Sequence, residues 1–269
     1  MRLLDIKEVQ SMQLALMKRL HAFLQENHIP YYLLAGSVLG AARHGGFIPW
    51  DDDIDIGLFR EDYEKFLRIA DSFDPYYEVI NYKNRKNCDF GLTRIYFPGT
   101  YIDNPSIKNT KLDKRLYLDI FPLDNVPDDY AELAKYEKAI VRKKNLMQKI
   151  DTRDYQNSKP VLMAKKAISM GLTLLRNPII VSFDGLCQKY SHVDTKRVCS
   201  LSSQYSFKKQ VMPKETYGAP TLHAFETEQF FVPEKLGDYL TTLYGPDYGK
   251  VPPVEKRRTG YNIYSTKEA

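Results

Sequence analysis

Four aspartates in five positions, Asp51, Asp52, Asp53 and Asp55, run straight into an apolar alternation of Ile54, Ile56 and Leu58. Side chains on a strand point to opposite faces in turn, so Asp51, Asp53 and Asp55 share one face while Ile54 and Ile56 turn to a core. Like charges at such spacing repel, and a carboxylate taken out of water is costly unless it is paired. A merely solubilising acidic turn predicts polar flanks, whereas these acids lie between Trp50 and an Ile-x-Ile strand. A divalent cation removes the penalty, and hard oxygen ligands suit Mg²⁺ or Mn²⁺.

Upstream, the apolar run Tyr31 to Ala35 ends at Gly36-Ser37, the pattern of a buried strand stopping at a turn where backbone can approach a ligand. A small helical segment follows, then a loop through Arg43-His44-Gly45-Gly46 and Pro49-Trp50. Downstream, Asp119 sits alone in the apolar strand Leu116 to Phe121, where an ionised side chain needs a partner. Two readings stay open there. Asp119 is the third acid of the site, or it is a strand-edge residue bonded to backbone and Asp124 is the working one. Asp124 follows Pro122 and precedes Asn125, which has the look of turn chemistry.

The string from Gly36 through Arg43, His44, Trp50 and Asp53 to Ile56 resembles the hallmark of the LicD family of phosphocholine transferases, to which fukutin-related protein is also similar. The LDIFPLD segment and the tail from Leu243 to Arg257 resemble the same family, so the likeness covers both ends of the chain and leaves the helical middle unmatched. The resemblance implies an α+β fold, a nucleotidyltransferase-like mixed sheet flanked by helices with a helical insertion. It divides the chain into a catalytic core (1–127), a helical, basic amphipathic region (128–195) and a C-terminal segment that packs back on the core (196–269).

For function, the resemblance implies Mg²⁺- or Mn²⁺-dependent transfer of phosphocholine from CDP-choline to a sugar hydroxyl of a teichoic acid or lipopolysaccharide type of glycan, with CMP released. Asp53 and Asp55 are then expected to hold the metal against the donor diphosphate, and Asp119 to share it or accept the acceptor's proton. Gly36 and Ser37 would offer N–H groups and a hydroxyl to the phosphates, and Arg43 a forked cation. Trp50 is a candidate wall of a choline cage, against simple packing. His44 would contact phosphate or cap its loop. Alternatives are another donor such as CDP-ribitol or CDP-glycerol, or a non-catalytic glycan- or nucleotide-binding module.

A chain of 269 residues can bury a sizeable core. Its 39 basic and 34 acidic side chains give +5, which suits phosphates or an anionic surface and is too weak to argue for nucleic acid. Cys88, Cys187 and Cys199 are far apart and form no Cys-x-x-Cys pair, as expected of a reducing compartment. The opening residues carry Asp5, Lys7 and Glu8 where a signal peptide needs an apolar core, so a cytoplasmic place is expected, at the inner face of the membrane if the acceptor is lipid-linked.

Helical spacing of Val9, Leu16, Leu20 and Leu24, with Asp5 and Glu8 set as a cap, predicts one helix over 6–27. His21 and His28 read as surface or cap residues. Further helices are expected at 60–72, 128–150 and 233–243, and strands at 77–82, 90–97, 198–201 and 225–232. Val161 to Ser182, with Lys165, Lys166 and Arg176, has the pattern of a basic amphipathic helix or helix pair. It would rest on a membrane surface or pack in a bundle. Arg257 and Arg258 either reach back to phosphate or are solvated.

Overall fold

The computed structural model describes residues 1–85, 88, 91–104, 113–150, 176–257 and 260–266. Helix α1 (Ile6–Glu26) starts where the sequence says it should. Asp5 accepts from the Glu8 N–H and the Glu8 side chain accepts from the Asp5 N–H, a complete capping box. Its buried face carries Val9, Leu16, Met17, Leu20 and Leu24 together with two glutamines, Gln10 and Gln13.

The principal sheet contains, in spatial order, β2 (Tyr32–Leu33), β3 (Asp55–Phe59), β7 (Tyr117–Val126), β5 (Thr93–Tyr96) and β4 (Glu78–Ile80). Strands β3 and β7 run parallel, and the other pairs are antiparallel, so the sheet is mixed. The far end of β7 pairs with β8 (Arg197–Cys199), which pairs with β9 (Val211–Pro213). A three-stranded sheet joins β1 (Arg2–Leu3), β12 (Asn262–Ser265) and β6 (Thr100–Asp103), and β10 (Thr221–Phe225) with β11 (Glu228–Val232) makes a hairpin. The fold is therefore the α+β, mixed-sheet arrangement expected. With α1, the helices α2 (Ala35–His44), α3 (Arg60–Ile69) and Leu236–Tyr244 flank the core.

Several expectations need correction. Gly36 and Ser37 are not a turn before a helix: they lie in the first turn of α2. Strand β7 does not stop at Phe121 but runs to Val126, and Pro122 falls between the stretch paired with β5 and the stretch paired with β8. A proline there leaves fewer ladder bonds to lose. The apolar segment 225–232 is not one strand, because Glu226, at positive φ, turns the chain into the β10–β11 hairpin. His21 is half-buried against Tyr31, Phe230 and Phe231 rather than on the surface.

The Lys-rich pattern forms α4 (Tyr130–Ile150). The basic stretch from Val161 with Lys165 and Lys166 lies outside the described residues, as do Phe90 and Arg258, and a helix is described from Arg176 to Cys187. Among the described residues no helix is long and apolar enough to cross a membrane.

Apolar side chains of α1, the sheet, α2 and the C-terminal helix form the main core, with Ile54, Ile56, Leu58, Leu118 and Ile120 fully buried. A second cluster unites Val126, Tyr136, Phe183, Cys187, Cys199 and Phe207. All three cysteines are buried and unbridged.

Candidate active site

Period-two alternation decides which carboxylates can meet. On β7, Leu118 and Ile120 enter the core while Tyr117, Asp119 and Phe121 line a cavity of about 460 Å³ on the other face. Asp55 stands directly opposite Asp119 in the parallel β3–β7 register, and Arg94 stands opposite Asp119 on the β5 side. Asp51 and Asp53, even-numbered steps before Asp55, open onto the same cavity. The acids read from sequence, Asp53, Asp55 and Asp119, are thus brought together, and Asp51 joins them.

Mutual repulsion is plain in their protonation. Burial, then the neighbouring charge of Asp52, pushes Asp51 up to about 6. Burial first, then the charges of Asp55, Asp51, Asp52 and Asp119, raises Asp53 well above the usual carboxylate range, and burial, then Asp119 and Asp51, does the same to Asp55. Asp53 keeps an exposed surface where it lines the cavity. Arg94 opposes the rise at Asp55. Its Nε donates to Asp119 Oδ1 at 2.8 Å and its guanidinium lies 4.0 Å from the Tyr117 ring centre. This is the partner that an acid in an apolar strand required.

Carboxylate oxygens of Asp51, Asp52 and Asp53 come within 4.8 Å of one another. Asp52 in this trio is otherwise engaged: it accepts from the Tyr261 backbone and abuts Gly260, where a Cβ could not fit. Asp51 and Asp53 of this trio, with Asp55 and Asp119 on the same cavity, are the oxygen-only donors that could hold a hard divalent cation, which would relieve their repulsion.

Gly36 lines the cavity, and a Cβ there would stand 2.8 Å from Asp51 Oδ2. This close approach accounts for the glycine. Neighbouring Ala35 is held at positive φ, its N–H donating to the buried Tyr239 hydroxyl at 2.9 Å. Ser37 Oγ accepts from the Asp55 N–H at 2.9 Å, so it braces the acidic strand.

The remaining predicted residues are not at the cavity. Arg43 Nη1 donates to the Tyr248 and Lys250 carbonyls and its Nε to His44 Nε2, tying down the C-terminal tail. His44 packs edge-on to Trp50, and Arg257 lies 4.3 Å from the Trp50 ring centre. Asp124 is fully buried on the core face of β7 and takes a two-pronged bond from Arg60, at 2.6 and 2.9 Å. It is a core ion pair and not the turn residue its setting suggested.

Sequence reasoning missed Arg94 and the wall facing the acids: Ser200, Ser203, Gln204, Tyr205 and Gln210, with Tyr239 beside Ala35. The unpaired look of Asp119 was the signal for a cation. The polar loop after β8 carried none.

A mixed sheet that sets Asp55 at the start of one strand, with Asp53 in the segment leading into it, beside Asp119 on the parallel neighbour and close to the first turn of a helix, defines a nucleotidyltransferase-like domain. The chain belongs to the LicD family: residues 28–161 match the LicD/FKTN/FKRP nucleotidyltransferase domain. Over 277 aligned positions, 96% of each chain, it is 27% identical to the lipopolysaccharide cholinephosphotransferase LicD of Haemophilus influenzae. It is 54% identical over 39 residues, 14% of this chain and 8% of the relative, to the ribitol 5-phosphate transferase FKRP of Homo sapiens. An uncharacterized protein of Rickettsia prowazekii is 32% identical over 116 residues, 43% of this chain and 40% of its own.

Proposed function

We propose that the protein is a phosphotransferase that moves phosphocholine from CDP-choline to a sugar hydroxyl of a cell-surface glycan. The observation that carries this reading is the convergence of Asp51, Asp53, Asp55 and Asp119 on one cavity, in a chain similar along its length to a lipopolysaccharide cholinephosphotransferase.

Asp53 and Asp55, with Asp51, are the residues proposed to hold Mg²⁺ or Mn²⁺. The ion would neutralise the donor diphosphate, the main obstacle to approach of an oxygen nucleophile. Gly36, in the first turn of α2 and on the cavity wall, would bring its backbone N–H to the same phosphates. Asp119, oriented by Arg94, accepts the proton of the acceptor hydroxyl. The hydroxyl oxygen bonds to the phosphorus that carries choline, the bond from that phosphorus to the bridging oxygen breaks, and CMP leaves with the electron pair. Tyr205, Phe121 and Tyr239 replace Trp50 as the aromatic candidates for the trimethylammonium group.

The match to a ribitol 5-phosphate transferase supports a second reading, the same chemistry with CDP-ribitol. Release of CMP from CDP-choline, CDP-ribitol and CDP-glycerol, each with Mg²⁺ and with or without glycan acceptor, separates these. CDP-choline is expected to turn over, with loss of roughly 10²–10³-fold in Asp53→Ala and Asp55→Ala proteins that remain folded. No turnover of any CDP-alcohol would favour a binding module instead.

A further inference from the structure

The acidic stretch lies between α2 and β3 and carries four like charges, yet its backbone is held by neutral side chains of α1. Gln10 Nε2 donates to the Ile48 carbonyl at 3.3 Å and to the Asp51 carbonyl at 2.9 Å. One helical turn on, Gln13 Nε2 donates to the Asp52 carbonyl at 3.2 Å and to the Tyr117 carbonyl at 2.9 Å. Both side chains are buried on the apolar face of α1, at 4% and 0% exposure. The second bridge links the loop that bears Asp51 and Asp53 to the strand residue two before Asp119. One amide thereby ties the two groups of acids together, in addition to the β3–β7 ladder.

Gln13 holds its position at a cost. Its Oε1 is buried and, among the described residues, has no hydrogen-bond partner. A buried acceptor left unmet is unfavourable, and an apolar side chain of like size would avoid that. What glutamine offers in exchange is a two-donor group without charge. Lysine or arginine there would also bond the carbonyls but would compete with a metal ion for the carboxylates. We infer that Gln10 and Gln13 are positioning residues that hold the acidic loop at metal-binding spacing without neutralising it.

This inference rests on the proposed metal site, and the test separates the two. Mn²⁺ binding to the full chain is followed by calorimetry, alongside the melting temperature without metal and CMP release from CDP-choline. Gln13→Met and Gln10→Met should melt within a few degrees of the parent. Mn²⁺ affinity should fall about 10–100-fold, the usual consequence of losing a group that orients ligands, and kcat should fall more than KM for the donor rises. Gln13→Met with parental Mn²⁺ affinity overturns the inference, whether or not its melting point falls. If Gln13→Met does not fold, Gln10→Met carries the same comparison through the Asp51 carbonyl. If the parent chain binds no divalent ion, the metal reading falls and this inference with it. Parental binding that both variants keep removes only the inference.

Discussion

Residue position along a single strand decided what composition left open. Asp119 and Asp124 lie in one apolar segment, five residues apart, and therefore on opposite faces of β7. One meets Asp55 and Arg94 at the cavity and the other meets Arg60 in the core. That parity was legible once the strand was taken to run through Pro122, but a proline reads as a stop. Arg43 and Trp50 were misjudged for a different reason: nothing local says that the C-terminal tail would come to lie on them.

His21 teaches the same lesson and yields a pH prediction. Its Nδ1 is 2.6 Å from the Tyr31 hydroxyl among three aromatic rings. Burial lowers its pKa below the ordinary 6.5, against the raising effect of Glu228. The unfolded chain then takes up the proton more readily, so this contribution to stability is complete above about pH 6.5 and is lost as pH falls through the folded value. An imidazole NMR titration should place the His21 midpoint under 6.5, and denaturation should find the parent losing ground to His21→Phe between pH 7 and 5. A midpoint above 6.5 would count against the packing described.

At the level of elements, those with an internal signature were readable: α1 from its capping box, β3 from its alternation, α4 from its charge pattern. The short pieces that hold the site were not. The Gly45–Phe47 loop between α2 and the acids is clasped by the turn of the β10–β11 hairpin, where the Glu226 N–H donates to the Gly45 carbonyl at 2.7 Å and the Phe47 N–H donates to Glu226 Oε1 at 3.0 Å. These partners are about 180 residues apart, beyond any periodicity. The clasp needs α2 close to its own loop. A Cβ on Gly40 would collide with the Gly46 carbonyl oxygen and stand 3.1 Å from the Ile48 nitrogen, both rigid backbone. Gly40→Ala should therefore lose roughly 1–3 kcal/mol of stability in urea, despite the better helix propensity of alanine, and should weaken Mn²⁺ binding because the displaced loop leads into Asp51. A variant as stable as the parent would mean that the loop yields freely.

Across the whole molecule, the two apolar clusters are joined by charge. Arg60 of α3 bonds Asp124 of β7 through both Nε and Nη2, and its Nη1 reaches Asp184 of the helix Arg176–Cys187 at 3.0 Å. Tyr82 and Gln188 close around Asp184. Arg60, Asp124 and Asp184 are 7%, 0% and 4% exposed, so solvent screening is slight. Burial raises Asp124 to about 6 in spite of the Arg60 guanidinium, which leaves it ionised at neutral pH. Arg60→Met keeps the length and apolar stem of the side chain but strands the acids. The expected loss near pH 8 is about 3–5 kcal/mol, the range for breaking one side of a buried pair. Without the arginine the folded-state pKa of Asp124 climbs further above its unfolded value, so the folded protein takes up a proton that the unfolded chain binds less well. Stability of the variant must then decline as pH rises. Urea denaturation at pH 5 and pH 8 should find the smaller penalty at pH 5. Because Asp124 faces away from the cavity, Mn²⁺ binding by whatever remains folded should match that of the parent. Equal penalties at the two pH values would mean that Asp124 finds another cation when Arg60 is gone. A fall in Mn²⁺ affinity would mean that the core face and the cavity face of β7 are mechanically coupled.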